Sequence, residues 1–410
     1  MRFPTVLLAL LALAVPATAG AAAPRFLPPV KERLSDATSV KRTCAADLLS
    51  ARKRGIDRAS YRAPMSGFVN VRMQGKRRPD WDLAVFDATT GRRLASSQAF
   101  GSRELAQTWV DSGQRLAIQG CRRSGRSRAV PVSVRLVDVA APKNLGTPQL
   151  VQVDAKTGAD LHRLESLGLD VTHQIHNGKA DVIVSGAKQR NLLDRAGFSF
   201  RTLISDMNAQ YADNRAADLA FSRRVGKSSL PSGRTAYRSL VAYQEDMKAL
   251  VDTYPNRVRP VELPKQTTQG RPIQGVEISS NVNAAEDGRP TWFVVALHHA
   301  REWPSAEVAM ELATMLANEY GSNARVTNLV DKARIVIVPL INVDSFVFTQ
   351  QAVSPADTVW YGEDTPEELR PFGADLYTAE QAIGAQAYRR KTCSGAFPAG
   401  SPCEVQWGTD

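Results

Sequence analysis

Two uninterrupted apolar runs constrain the fold of this chain more than any other feature: Thr291–Leu297 (TWFVVAL) and Ala333–Ile341 (ARIVIVPLI). Neither alternates polar with apolar residues, as expected of strands covered on both faces of a sheet. Between them SAEVAMELATMLANEY (305–320) sets Val308, Leu312, Met315, Leu316 and Tyr320 on one helical face. Upstream, YRSLVAYQEDMKALVDTYP (237–255) is a second amphipathic helix, stopped by Pro255. Residues 234–410 therefore read as an α/β domain with helices packed on a largely buried mixed sheet.

The region before it has other periods, so the chain is multidomain. From 24 to 143 short segments alternate with period two, as in Val132-Ser133-Val134-Arg135-Leu136, and Asp87-Ala88-Thr89-Thr90-Gly91 supplies a turn. This predicts an N-terminal antiparallel β-sandwich. Residues 148–205 read strand, helix, two strands, helix, strand, with Asn177-Gly178 as hairpin turn; that order is ferredoxin-like α+β. Residues 206–233, with Arg223-Arg224, Lys227 and Pro231-Ser232-Gly233, read as a polar linker with room for one helical stretch. The paired basic residues there suit a processing site or an ordinary solvated linker.

Met1-Arg2, the apolar run Val6–Val15 and Ala17-Thr18-Ala19 form the pattern of a secretory signal over 1–19. That run is too short for a membrane span, which needs about 20 apolar residues. The expectation is an exported chain, extracellular or periplasmic, without a transmembrane segment. Export favours disulfides among Cys44, Cys121, Cys393 and Cys403. Three pairings are open, and the simplest joins Cys44 to Cys121 and Cys393 to Cys403; there is no C-x-x-C. The formal charge of +11 is concentrated: residues 51–140 hold 18 Lys and Arg against 7 Asp and Glu, 18 − 7 = +11. Contact with an anionic surface is one reading. With no nucleic-acid motif and the basic residues scattered along strands, a solvated sheet face fits better.

Chemistry concentrates in ALHHAREWPSAE (296–307), where a strand gives way to a helix opened by Pro304. His299 and Glu302 flank that turn three positions apart, so an imidazole nitrogen and a carboxylate can converge on one point beyond the strand. Zinc takes such ligands, three of them plus water in a catalytic site. Spacing alone leaves open that Glu302 favours the helix N-terminus and that His299 is a satisfied loop histidine.

The string His299-Ala300-Arg301-Glu302-Trp303 resembles the H-x-R-E-W zinc-binding segment of the carboxypeptidase A family of metallocarboxypeptidases. TTQGRPIQGVEIS (267–279), INVDSFVFT (341–349) and YRRKTCS (388–394) resemble that family's G-R-x-I, N-P-D-G-F and W-R-K-T segments, in the same order. The ferredoxin-like unit resembles its activation propeptide. The resemblance implies zinc as cofactor, a peptide or protein with a free C-terminus as substrate, and hydrolysis of the C-terminal peptide bond by zinc-activated water. It makes His299 and Glu302 zinc ligands, places Arg301 on the bound peptide backbone, and has Arg390 polarise the scissile carbonyl. Asp410 would orient the first zinc histidine.

Two departures stand out. A long segment, 350–387, precedes the Arg390 string where relatives run almost directly on. The family's third ligand is a downstream histidine, followed by a glutamate base, yet the five histidines here are His162, His173, His176, His298 and His299. The expectation is thus a partial carboxypeptidase domain, truncated before the third ligand and inactive or nearly so. The rivals are a secreted non-catalytic binding protein using the basic sandwich, or a zinc hydrolase of small N-acyl amino acids or wall peptides.

Overall fold

The computed structural model describes residues 25–36, 46–50, 54–138, 147–267, 269–284, 287–353, 392–393 and 408–409. The first unit is all β: β1 (Arg25–Phe26), β2 (Val30–Ser35), β3 (Ile56–Arg62), β4 (Gly67–Gln74), β5 (Asp80–Asp87), β6 (Arg93–Ser97), β7 (Arg103–Val110), β8 (Arg115–Ser124) and β9 (Ala129–Asp138). One sheet runs β1-β9-β4-β7, with β2 also paired to β9; the other runs β3-β8-β5-β6. Period-two alternation turns one side of each strand inward. Val132, Val134 and Leu136 of β9 meet Trp81, Leu83 and Val85 of β5 in one core shared by both sheets. At the β5–β6 turn, Asp87 Oδ1 accepts from the backbone N–H groups of Thr89 and Thr90, both at 2.8 Å. Cys121 is fully buried on β8 and disulfide-bonded; Cys44 and Cys403 lie outside the described residues, as does the segment 1–19.

The second unit runs β10 (Pro148–Asp154), α1 (Gly158–Ser166), β11 (Asp170–His176), β12 (Lys179–Ser185), α2 (Gly186–Arg195), β13 (Phe200–Ile204). Its antiparallel sheet has the order β11-β12-β10-β13. Thr157 and Asp160 close a reciprocal capping box at the start of α1. Asn177 and Gly178 both adopt positive φ (52° and 72°), the backbone a two-residue hairpin needs. The unit has its own core, with Val151, Val153, Leu164, Val182, Val184 and Leu193.

Residues 207–225, placed above in a polar linker, form a 19-residue helix, α3 (Met207–Val225). Asp206 caps it by accepting from Ala209 N–H at 2.9 Å. Its alanines (209, 212, 216, 217 and 220) favour the helix although little apolar surface marks it in sequence.

The third unit contains α4 (Leu240–Thr253), β14 (Val258–Gln266), β15 (Pro272–Ile278), β16 (Thr291–Val295), α5 (Trp303–Glu319), α6 (Ala324–Lys332), β17 (Arg334–Val338) and α7 (Val343–Val353). The short strands β18 (Thr392–Cys393) and β19 (Gly408–Thr409) pair antiparallel further on. The larger sheet is mixed, in the order β14-β15-β17-β16, with β16 parallel to β17 and the other pairs antiparallel. No helix among the described residues is long and apolar enough to cross a membrane.

Two expectations need correction here. Strand β17 is buried as its composition suggests, but β16 is an outer strand of the described sheet, and Trp292 and Phe293 are 48% and 51% exposed. Apolarity marks a covered strand only when neighbours lie on both sides. On α5 the buried stripe is Ala306, Ala309, Met310, Ala313, Leu316 and Ala317, whereas Val308 is 68% exposed. Leu316 of the expected row is buried, and Leu312, Met315 and Tyr320 pack at the edge of the core, so the inward face is the expected one turned toward the alanines, with Val308 left outside.

Candidate metal centre

The site forms where β16 ends. Leu297 leaves the strand with φ +56°, a left-handed conformation uncommon for a branched side chain. Neighbours hold it there. Ser305 Oγ accepts from the Leu297 N–H at 3.1 Å and donates to the Glu302 carbonyl at 2.8 Å. From the far side, Asn342 donates its backbone N–H to the Leu297 carbonyl at 3.3 Å and its side-chain amide to the His298 carbonyl at 3.0 Å. Thr349 of α7 donates to the carbonyl of Ala300 at 3.2 Å and accepts from the Trp303 indole N–H at 2.9 Å. Trp303 in turn meets Tyr237 and Phe346 edge-on, with ring centroids 5.5 and 6.2 Å apart.

This frame brings two of the expected ligands together: His299 Nδ1 lies 2.9 Å from Glu302 Oε1. Glu302 stands at the N-cap of α5, but its side chain makes no capping hydrogen bond. Its carboxylate turns to the imidazole, which argues against the plain helix-terminus role. Donor atoms about 2.0–2.2 Å from one tetrahedral zinc ion lie about 3.3–3.6 Å from each other, so the pair, here at hydrogen-bond distance, would open by about half an ångström to share one ion. Among the described residues no cluster of three or more His, Cys, Asp or Glu suited to a metal occurs. Beside the pair a cleft of about 440 Å³ is lined by Leu297, His298, Glu302, Pro304 and Val308 among others.

Arg301 does not face open solvent. Its guanidinium pairs with the carboxylate of Asp170 on β11 of the βαββαβ unit, through Nη1 to Oδ2 and Nη2 to Oδ1 (3.2 Å for the latter). Tyr211 of α3 is close enough to feel the Arg301 charge; burial pushes its phenol up to about 12, partly offset by that cation. The second unit and α3 therefore lie against the site. Arg390 and Asp410, expected to act in the site, lie outside the described residues. Sequence reasoning missed Ser305, Thr349 and Asp170. A serine three residues after Glu302 was a local signal, but nothing near Asp170 marks its partner 131 positions away.

Comparison with known proteins agrees with the resemblance. Residues 243–403 match the family model described as Zinc carboxypeptidase. A zinc carboxypeptidase of Saccharothrix mutabilis subsp. capreolus is 28% identical over 207 residues, covering 50% of this chain and 46% of the relative. Mouse carboxypeptidase A4 is 26% identical over 161 residues, covering 39% of this chain and 37% of the relative. Among solved structures, carboxypeptidase A from Helicoverpa armigera aligns with TM-score 0.41 and 20% identity, over 59% of this chain and 62% of that one. The chain spans less than half the length of the two curated relatives.

Proposed function

We propose that this chain, whose residues 243–403 match the zinc carboxypeptidase family, is the secreted precursor of a zinc-dependent carboxypeptidase that removes C-terminal residues from peptides. The observation that carries this is the approach of His299 Nδ1 to Glu302 Oε1 at the end of β16. These two residues would hold the metal. Bound there, zinc supplies Lewis acidity toward water and a carbonyl oxygen.

The chain's own residues have separate parts in this reading. Arg301 binds the peptide backbone, and Arg390 sets a fixed positive charge against the oxygen of the scissile carbonyl as negative charge develops. A guanidinium suits that duty because it is planar and stays charged. Asp410 fixes the ring of the first histidine ligand.

The βαββαβ unit is, in this proposal, an activation segment. Its support is the Asp170–Arg301 pair, because a carboxylate from the second unit engages the guanidinium assigned to the peptide. Arg223, Arg224 and Lys227 are exposed at the end of α3, where a trypsin-like protease can reach them. Hydrolysis of peptides with free and amidated C-termini, before and after tryptic cutting, tests the whole reading. A gain on cutting, confined to free C-termini, is expected; equal rates on both substrates would refute the carboxypeptidase assignment.

A further inference from the structure

The basic charge of residues 51–140 has a use that the peptidase reading leaves unexplained, and the contacts of the first unit supply one. Arg77 and Arg103 both reach Glu262 of β14, at 3.1 and 3.2 Å, and Arg123 reaches Asp252 of α4 at 3.2 Å. Behind this rim a cleft of about 320 Å³, lined by Asp80, Phe100, Arg123 and Lys248 among others, opens beside buried ion pairs. Lys248 of α4, with 4% of its side chain exposed, lies 2.6 Å from Asp82 of β5, whose side chain is fully buried, and 3.2 Å from Asp80. Arg271 donates to Gln107 of β7 and, at 2.6 Å, to Asp344 at the start of α7. Gln274 of β15 clasps the backbone of Phe100: its Oε1 accepts from the Phe100 N–H at 2.7 Å and its Nε2 donates to the carbonyl at 2.8 Å. The Phe100 side chain packs against the core of the α/β unit.

These are features of a domain interior, with an apolar anchor, paired buried charges and main-chain groups satisfied across the seam. The βαββαβ unit lies between the two partners in sequence, keeps its own core and meets the α/β unit through the Asp170–Arg301 pair. We infer that residues 25–138 and the α/β unit form one body that survives cleavage of the chain between them, and that the βαββαβ unit is the separable part. Processing on both sides of that unit then gives a two-piece protein held by the Lys248–Asp82 and Phe100–Gln274 contacts. Arg77, Arg103 and Arg123 of the basic region thus have acids of the chain's own α/β unit as partners.

The test uses the full chain with a site-specific protease sequence inserted between residues 139 and 146, another between 226 and 231, and a C-terminal affinity tag. After both cuts are complete, the 25–138 piece is expected to stay on the column with the tagged piece. The βαββαβ piece is expected in the wash, and more readily so with Asp170→Ala. Lys248→Ala leaves Asp82 buried without its ammonium partner and should weaken retention of the first piece about a hundredfold or more. Gln274→Ala, which removes no charge, should weaken it less and serves as the check if the lysine variant misfolds. Release of the 25–138 piece from a tagged piece that keeps its circular dichroism would overturn the inference. So would equal retention of both N-terminal pieces. No readout here needs zinc or turnover, so failure of this inference and failure of the peptidase reading are separate events.

Discussion

At the residue scale, the site depends on a few side chains holding a strained turn. Leu297 is held at positive φ by Ser305 and Asn342, and this turn presents His299 to Glu302. The approach of His299 to Glu302 was legible in sequence because it is local: strand end, three-residue spacing and helix start fall within one short string. Asp170 was not legible, because its meaning arises only when two separately folded units meet. The Asp170–Arg301 pair gives the first prediction. Its side chains are 5% and 12% exposed, so Asp170→Ala takes a carboxylate away from a largely buried guanidinium. The change should destabilise the junction by about 3 kcal/mol and speed tryptic cutting at the end of α3. Thermal unfolding and a cleavage time course measure both; an unchanged rate of cutting would show that the pair does not hold the unit in place.

At the element scale, local punctuation was read well and solvent exposure was not. Asn177-Gly178 announced its hairpin because few residue pairs accept two positive φ values in succession. Strand β16 misled because an apolar run does not reveal whether its strand is inner or outer. Helix α5 misled because alanine carries little weight in an apolar pattern yet fits best against a sheet. Close packing also gives the second prediction. A Cβ on Gly275 of β15 would stand 2.1 Å from the carbonyl oxygen of Ile337, inside the β15–β17 pairing. Gly275→Ala must push these strands apart, at a cost of about 1–3 kcal/mol. Denaturant unfolding followed by far-UV circular dichroism measures it. A midpoint equal to wild type would mean that the two strands do not pack so closely.

At the scale of the whole molecule, three cores are joined by polar seams, and one seam should respond to pH. Burial pushes the Asp80 carboxyl up to about 6 from 3.8, against the pull of Lys248. An acid with a raised folded-state pKa keeps its proton in the folded chain while the unfolded chain has lost it. This group therefore adds stability as pH falls from about 6 towards 4, and that stability is lost as pH rises through 6. The Tm difference, Asp80→Asn minus wild type, should be larger at pH 7 than at about pH 4.5. A difference independent of pH would contradict the upward shift assigned to the Asp80 carboxyl. The central claim concerns the metal, and its most direct test is calorimetric titration of the 410-residue chain with zinc. The chain is expected to bind about one zinc, and His299→Ala or Glu302→Gln should each abolish the heat. Binding that persists unchanged when both residues are replaced would contradict the account.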